Sequence, residues 1–166
     1  LIPEKNELWF SYGKRVWCEK KDGSIIKPNL SKTNNLDSMV LVTSKNHRNK
    51  TLKDLIEKIK CNEIKVMGSI GCKIASIVRG ESDLYICLSL PGKSSPKDWD
   101  FSAPEAILKA AGGAITNINN EELIYGKSNF KQEGIIIASN NINSHKSICA
   151  EIKEVIRKND LYLSLT

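Results

Sequence analysis

Trp99-Asp100-Phe101-Ser102-Ala103-Pro104-Glu105-Ala106-Ile107-Leu108-Lys109-Ala110-Ala111-Gly112-Gly113 reads as a helix with both ends marked. Ser102 stands at the N-cap, and Glu105 three residues on completes a capping box. Gly112-Gly113 stops the helix, because glycine reaches the left-handed conformation that closes a last turn. On this reading Asp98 and Asp100 flank Trp99 just ahead of the cap. Carboxylates placed there complement the helix dipole, and they are also hard oxygen ligands for a divalent cation. Spacing alone leaves both roles open.

Working outward, strands alternate with helices. Ser38–Thr43 is a short apolar strand. Thr51–Lys60 is a helix, with Leu52, Leu55, Ile56 and Ile59 on one face. Ile64–Met67 is the next strand, a short helix follows from about Gly71 to Arg79, and Gly80 suits its C′ position. Asp83–Leu88 is a strand. After the capped helix, Ala114–Ile118 and Leu123–Tyr125 are expected to form a hairpin about Asn119-Asn120. Ile135–Ser139 is a strand and Ser144–Asn159 a closing helix. This alternation predicts an α/β domain, a sheet covered by helices on both faces. Glu7–Tyr12 and Arg15–Glu19, joined by Gly13-Lys14, make a separate hairpin at the start. The polar stretch 29–37 is the expected boundary. The division predicted is 1–28 for the hairpin and 38–166 for the α/β unit. The hairpin's Trp9, Phe10 and Trp17 are expected to be exposed and to want a partner, a second copy of the chain among the possibilities.

Composition narrows the classes. The chain has 166 residues, 40% hydrophobic and 27% charged, enough for one domain with its own core. No apolar run approaches the length of a membrane span, and no signal peptide shows. The opening Leu1 suggests a processed or excised chain. Cys18, Cys61, Cys72, Cys87 and Cys149 are odd in number and widely spaced, so reduced, mostly buried thiols of a cytoplasmic protein are expected rather than zinc or a disulfide frame. The net charge of +6 is spread along the chain, and the densest cluster, Lys45–Lys50, contains no aromatic residue. Nucleic-acid binding is therefore not expected, whereas a field that attracts a small anion is.

Ligands of α/β sheets bind beyond the carboxyl ends of strands, next to helix starts. Three segments qualify. Thr43-Ser44-Lys45-Asn46-His47-Arg48 follows one strand. Gly68-Ser69-Ile70-Gly71-Cys72-Lys73 follows another and leads into a helix, where backbone N–H groups and a lysine favour an anion. It is not a P-loop, since G-x-x-x-x-G-K-[ST] is absent. An ordinary strand–helix turn has the same composition. Lys97-Asp98-Trp99-Asp100 is the third. His145, at the start of the last helix, reads as structural.

The stretch from Trp99 to Gly113 resembles the C-terminal signature of the inositol monophosphatase superfamily: Trp-Asp, a small residue, then a helix ending in Gly-Gly. The segment Gly68–Lys73 with Gly80–Tyr85 resembles the region that precedes it. Thr43-Ser44-x-x-His47-Arg48 and Pro96-Lys97-Asp98 resemble the 3′(2′),5′-bisphosphate nucleotidases within it. The resemblance runs over nearly the whole chain and covers about the second half of a family member. It implies a mixed sheet with helices on both faces, preceded by a hairpin left from the family's antiparallel sheet. It implies a Mg²⁺-dependent phosphomonoesterase of the cytoplasm and of sulfur metabolism, acting on a small phosphorylated nucleotide such as adenosine 3′,5′-bisphosphate. Asp100 would be a metal ligand, while Gly68, Ser69, Lys73 and His47 would bind substrate. The family's other metal ligands lie in a Glu-Glu and an Asp-Pro-x-Asp-Gly-Thr segment, and neither occurs upstream here. The chain is therefore expected to be inactive alone. Cys87 and Leu88 stand where some nucleotidases carry a phosphate-binding arginine, for which Lys93 or Lys97 would substitute. An inositol or sugar phosphatase, or a noncatalytic binding module, are the alternatives.

Overall fold

A computed structural model describes residues 1–45, 50–90, 92 and 94–161. The elements are β1 (Glu7–Tyr12), β2 (Arg15–Lys20), β3 (Ile25–Ile26), β4 (Val40–Ser44), α1 (Lys50–Ile59), β5 (Glu63–Met67), α2 (Ile70–Val78), β6 (Leu84–Ser89), α3 (Asp98–Ala111), β7 (Ala114–Asn117), β8 (Gly134–Ser139) and α4 (Ile142–Lys158). β1–β3 form an antiparallel sheet, and the other five strands form a second sheet in the order β5-β4-β6-β8-β7. β4 runs parallel to β5 and β6, whereas β8 runs antiparallel to β6 and β7. The result is the mixed α/β sheet that the alternation and the resemblance together predict.

β6 shows how the layers are made. Every residue of it is buried. Leu84, Ile86 and Leu88 face the α1/α4 side with Leu52, Leu55, Ile148 and Ile152. Tyr85 and Cys87 face the other side, with Ile74 and Ile77 of α2 and Phe101 and Leu108 of α3. The period-two alternation of a strand thus feeds two cores.

Trp9 and Cys18 of the N-terminal sheet join that second core. Trp9 is only 7% exposed, so the expectation of an exposed Trp9 awaiting a partner is corrected. Its burial follows from alternation in β1: Glu7 and Trp9 point inward, and the Glu7 carboxylate accepts from the Trp9 indole (3.0 Å) and from Arg79 of α2 (2.8 Å). Phe10 and Trp17 lie on the opposite face, stacked with ring centroids 5.3 Å apart.

Two further expectations change. α3 begins at Asp98 with Lys97 as N-cap, not with Ser102. The Asp98 N–H donates to the Phe130 carbonyl (2.9 Å) and the Lys97 N–H to Asp100 Oδ2 (2.8 Å), and these bonds start the helix one turn earlier. Glu105 is drawn away from a capping role by Tyr125 and Lys109. Pro104 consequently sits inside the helix, where it removes one intrahelical hydrogen bond. The hairpin of Leu123–Tyr125 does not form. Asn117 N donates to the Glu121 carbonyl (3.0 Å), but β7 pairs along its length with β8 instead.

Gly112, at φ +99°, closes α3 as expected, and Gly113 brings the chain against β8. A Cβ on Gly113 would lie 2.6 Å from the Ser139 carbonyl oxygen and 2.5 Å from Leu108 Cδ1. Gly113→Ala should therefore cost about 2 kcal/mol, the usual penalty of overpacking. Urea unfolding of the variant measures it, and a cost below about 0.5 kcal/mol, typical of an unconstrained surface site, would refute the close approach.

Candidate active site

α2 enters the sheet from a turn with an unusual backbone. Ser69, its N-cap residue, has φ +38°, a conformation rare for any residue with a side chain. Such strain clusters where a chain is held for function. One turn into α2, Lys73 is 3% exposed. Its ammonium donates to the Ser69 carbonyl (3.3 Å) and stands 5.4 Å from the centroid of the Tyr85 ring. No carboxylate pairs with it among the described residues. Burial lowers its pKa, because the charged form is desolvated, with the Cys87 and Cys72 thiols opposing. Its ammonium therefore has one carbonyl and one aromatic face as partners and keeps N–H donors for a further acceptor.

Tyr85 fixes the other side of this space. It is 1% exposed, and burial raises its pKa well above the ordinary range, with Cys87, Ser44 and Asp100 as its electrostatic neighbours. Asp100 is felt by the Cys87 thiol as well. Lys73 and Asp100, predicted from two separate stretches, therefore both act on Tyr85, and Ser69 joins them through its carbonyl's bond to Lys73. Gly68 precedes Ser69 in the same turn, after β5. Ser44 belongs to the first of the three segments read from the sequence; Tyr85 receives no site role from the sequence, because a uniformly apolar strand gives no sign of which residues face a site.

The two carboxylates at the start of α3 divide. Asp98 is buried, and both oxygens are spent: Oδ1 accepts from Gln132 Nε2 and Oδ2 from the Gly126 N–H, each at 2.7 Å. Asp100 is exposed, with Oδ2 accepting from the Lys97 N–H. Asp100 alone of the pair can reach a ligand. The Lys97 ammonium donates to the Asn129 carbonyl (2.7 Å), which leaves two of its N–H groups for another acceptor. His47 and Lys93 lie outside the described residues.

The donor set does not fit a complete Mg²⁺ centre. Among the described residues no group of three or more His, Cys, Asp or Glu side chains could hold a metal ion. Asp100 would supply one hard oxygen to a centre whose other ligands come from elsewhere. His145 is structural, as expected: it is buried between Ser139 Oγ (2.7 Å from Nδ1) and Thr116 Oγ1 (2.8 Å from Nε2). All five cysteines are free, three of them buried. Among the described residues no helix is long and apolar enough to cross a membrane.

With this geometry in hand, comparison with known proteins is informative. The family model described as "Inositol monophosphatase family" matches residues 2–157. A protein of Buchnera aphidicola subsp. Acyrthosiphon pisum named 3′(2′),5′-bisphosphate nucleotidase CysQ is 36% identical over 121 residues, which are 73% of this chain and 42% of that protein. The rat protein named 3′(2′),5′-bisphosphate nucleotidase 1 is 32% identical over 110 residues, 65% of this chain and 34% of its own. The chain thus spans less than half the length of these relatives. Among solved structures, the Thermotoga maritima IMPase superposes with a TM-score of 0.60 at 19% identity, over 86% of this chain and 53% of that one. At that identity the likeness speaks for the fold.

Proposed function

Because the chain belongs to the inositol monophosphatase family, we propose that it is the substrate-binding half of a phosphomonoesterase for nucleoside 3′,5′-bisphosphates, Mg²⁺-dependent once the missing ligands are supplied. The observation that carries this reading is Lys73, a buried ammonium near the start of α2 with no carboxylate partner among the described residues. Two relatives that share the family are named bisphosphate nucleotidases, and a nucleoside bisphosphate has two phosphates to recognise. A metal centre, when completed by ligands beyond Asp100, would supply an activated water and offset charge on the phosphate. Lys73 and the N–H groups that open α2 hold phosphate oxygens. The Tyr85 ring screens the ammonium from water, which strengthens its attraction for an anion. Asp100, exposed beside the start of α3, would be one carboxylate ligand of that metal centre. A second reading, an inositol phosphatase, is favoured by the breadth of one match: Inositol monophosphatase 3 of Xenopus laevis aligns over 89% of this chain, although at 26% identity.

The test uses two proteins. The 166-residue chain alone should release no measurable phosphate from adenosine 3′,5′-bisphosphate with or without Mg²⁺, because one carboxylate cannot hold the centre. Joined behind the N-terminal part of the Buchnera aphidicola relative, it should hydrolyse the nucleotide. In that protein Lys73→Met should lower kcat/KM by roughly 10- to 100-fold, the loss of one charge-assisted phosphate contact. Hydrolysis of inositol 1-phosphate in preference to the nucleotide would select the second reading. Robust turnover by the chain alone would remove the claim of incompleteness.

A further inference from the structure

β5 is an outer strand of the five-stranded sheet, and among the described residues no strand pairs with its free side. It pairs with β4 residue for residue, without a bulge, and contains no proline. Ile64 and Val66 are each 45% exposed. Sheets ordinarily blunt such an edge with a bulge, a proline or a covering segment. At the far end of the pair the Lys45 N–H donates to the Met67 carbonyl (3.1 Å). In this register, alternation along a parallel strand turns the backbone groups of Glu63 and Lys65 toward β4 and those of Ile64 and Val66 toward the open side. Glu63 and Lys65 share one face of the strand, and Ile64 and Val66 share the other.

We propose that β5 joins two copies of this chain, pairing antiparallel with β5 of the second copy across a two-fold axis at Ile64. The pleat restricts the choice of register. A two-fold axis perpendicular to the sheet passes through a residue, because an axis between residues would oppose side chains that point to different faces. Centring on Glu63 sets each carboxylate against its own copy, and centring on Lys65 does the same with ammoniums. Centring on Val66 puts Lys65 opposite Met67 and leaves Glu63 without a charge partner. Centring on Ile64 sets Glu63 opposite Lys65 of the second copy, twice. Ile64 carries the open backbone groups, so it exchanges the N–H···O bonds with its own copy, and Glu63 and Lys65 meet in the narrow pairs on either side. Val66 lies diagonal to Ile64 of the second copy, which covers the exposed apolar face. The strand is thus self-complementary in backbone, charge and apolar surface.

Sedimentation velocity over a range of concentrations tests the proposal on the 166-residue chain, with circular dichroism to establish that each variant is folded. The unaltered chain should form a reversible dimer. Glu63→Lys and Lys65→Glu should each raise the dissociation constant at least about tenfold, since each turns two attractive cross-strand pairs into repulsive ones. An equimolar mixture of the two folded variants should dimerise again, because every cross-strand position then carries opposite charges. A chain that stays monomeric at every concentration would overturn the proposal. So would single variants that dimerise as before, or a mixture that does not recover. A dimer that survives both reversals but is lost in Trp17→Ser would place the contact on the outer face of β1 and β2 and overturn it likewise.

Discussion

Arg79→Leu should destabilise the fold by about 3–5 kcal/mol, the cost of stranding a buried charge. Arg79 caps the C-terminal end of α2. Its guanidinium donates from Nη1 to Glu7 (2.8 Å) and from Nη2 to Glu81 (2.7 Å). The side chains of Arg79 and Glu7 are 10% and 4% exposed, so Glu7 has no water to fall back on when the guanidinium is removed. The double change Arg79→Leu with Glu7→Gln should recover most of the loss, because the amide is neutral and its oxygen can still accept from Trp9. Equilibrium denaturation followed by tryptophan fluorescence measures both, Trp9 being the buried reporter that the bridge holds in place. A cost below about 1 kcal/mol for the single change, the range of exposed ion pairs, would show that the bridge does not hold the N-terminal sheet to α2.

Acidification from pH 7 to pH 4 should remove up to about 3 kcal/mol of stability through His145 alone. Burial pushes its imidazole down from the ordinary 6.5 to about 4. The hydrogen bonds explain why the neutral ring is preferred. The Thr116 hydroxyl donates to the Asn117 carbonyl (2.7 Å), so the ring donates from Nε2 and accepts at Nδ1 from Ser139. No carboxylate is among the causes of the shift. The unfolded chain takes up this proton near pH 6.5 and the native chain does not until about pH 4. The stability is thus fully present above pH 6.5 and is lost as pH falls through the interval. Glu154, held near 2 by Arg157, titrates below that window. The check is the urea midpoint between pH 7 and pH 4.5 for the chain and for His145→Gln. The variant should start less stable and show a flatter dependence, and parallel curves would exclude His145 as the cause.

Elements governed by short-range pattern were legible in the sequence. The helical face of Leu52, Leu55, Ile56 and Ile59, the Gly13-Lys14 hairpin and the Gly112 stop all depend on residues within one or two turns of each other. What could not be read depends on distant partners. Glu7 does not declare itself an inward-facing residue, because its guanidinium lies 72 positions away. Ser102-x-x-Glu105 has a capping-box pattern, yet the start of α3 is decided by Phe130 and by Asp100 reaching back to Lys97. In the candidate site, the turn at Gly68–Lys73 and Asp100 were visible as chemistry-bearing residues beside predicted helix starts. Tyr85 was not, since only the pairing of β4 with β6 brings it beside the Ser44 segment.

The segment between β7 and β8 has no regular element, yet four side chains of α3 hold it: Asp98 on Gly126 and Gln132, Trp99 against Phe130, Glu105 on Tyr125 and Lys109 on Glu122. The first turn of α3 depends on it in return, through the Phe130 carbonyl. Helix and loop therefore form and melt as one cooperative unit. The orientation of Asp100 is thereby tied to this whole unit, so a lesion as remote as Gly126 or Gln132 reaches the candidate site through loss of local order, with no residue of the site altered.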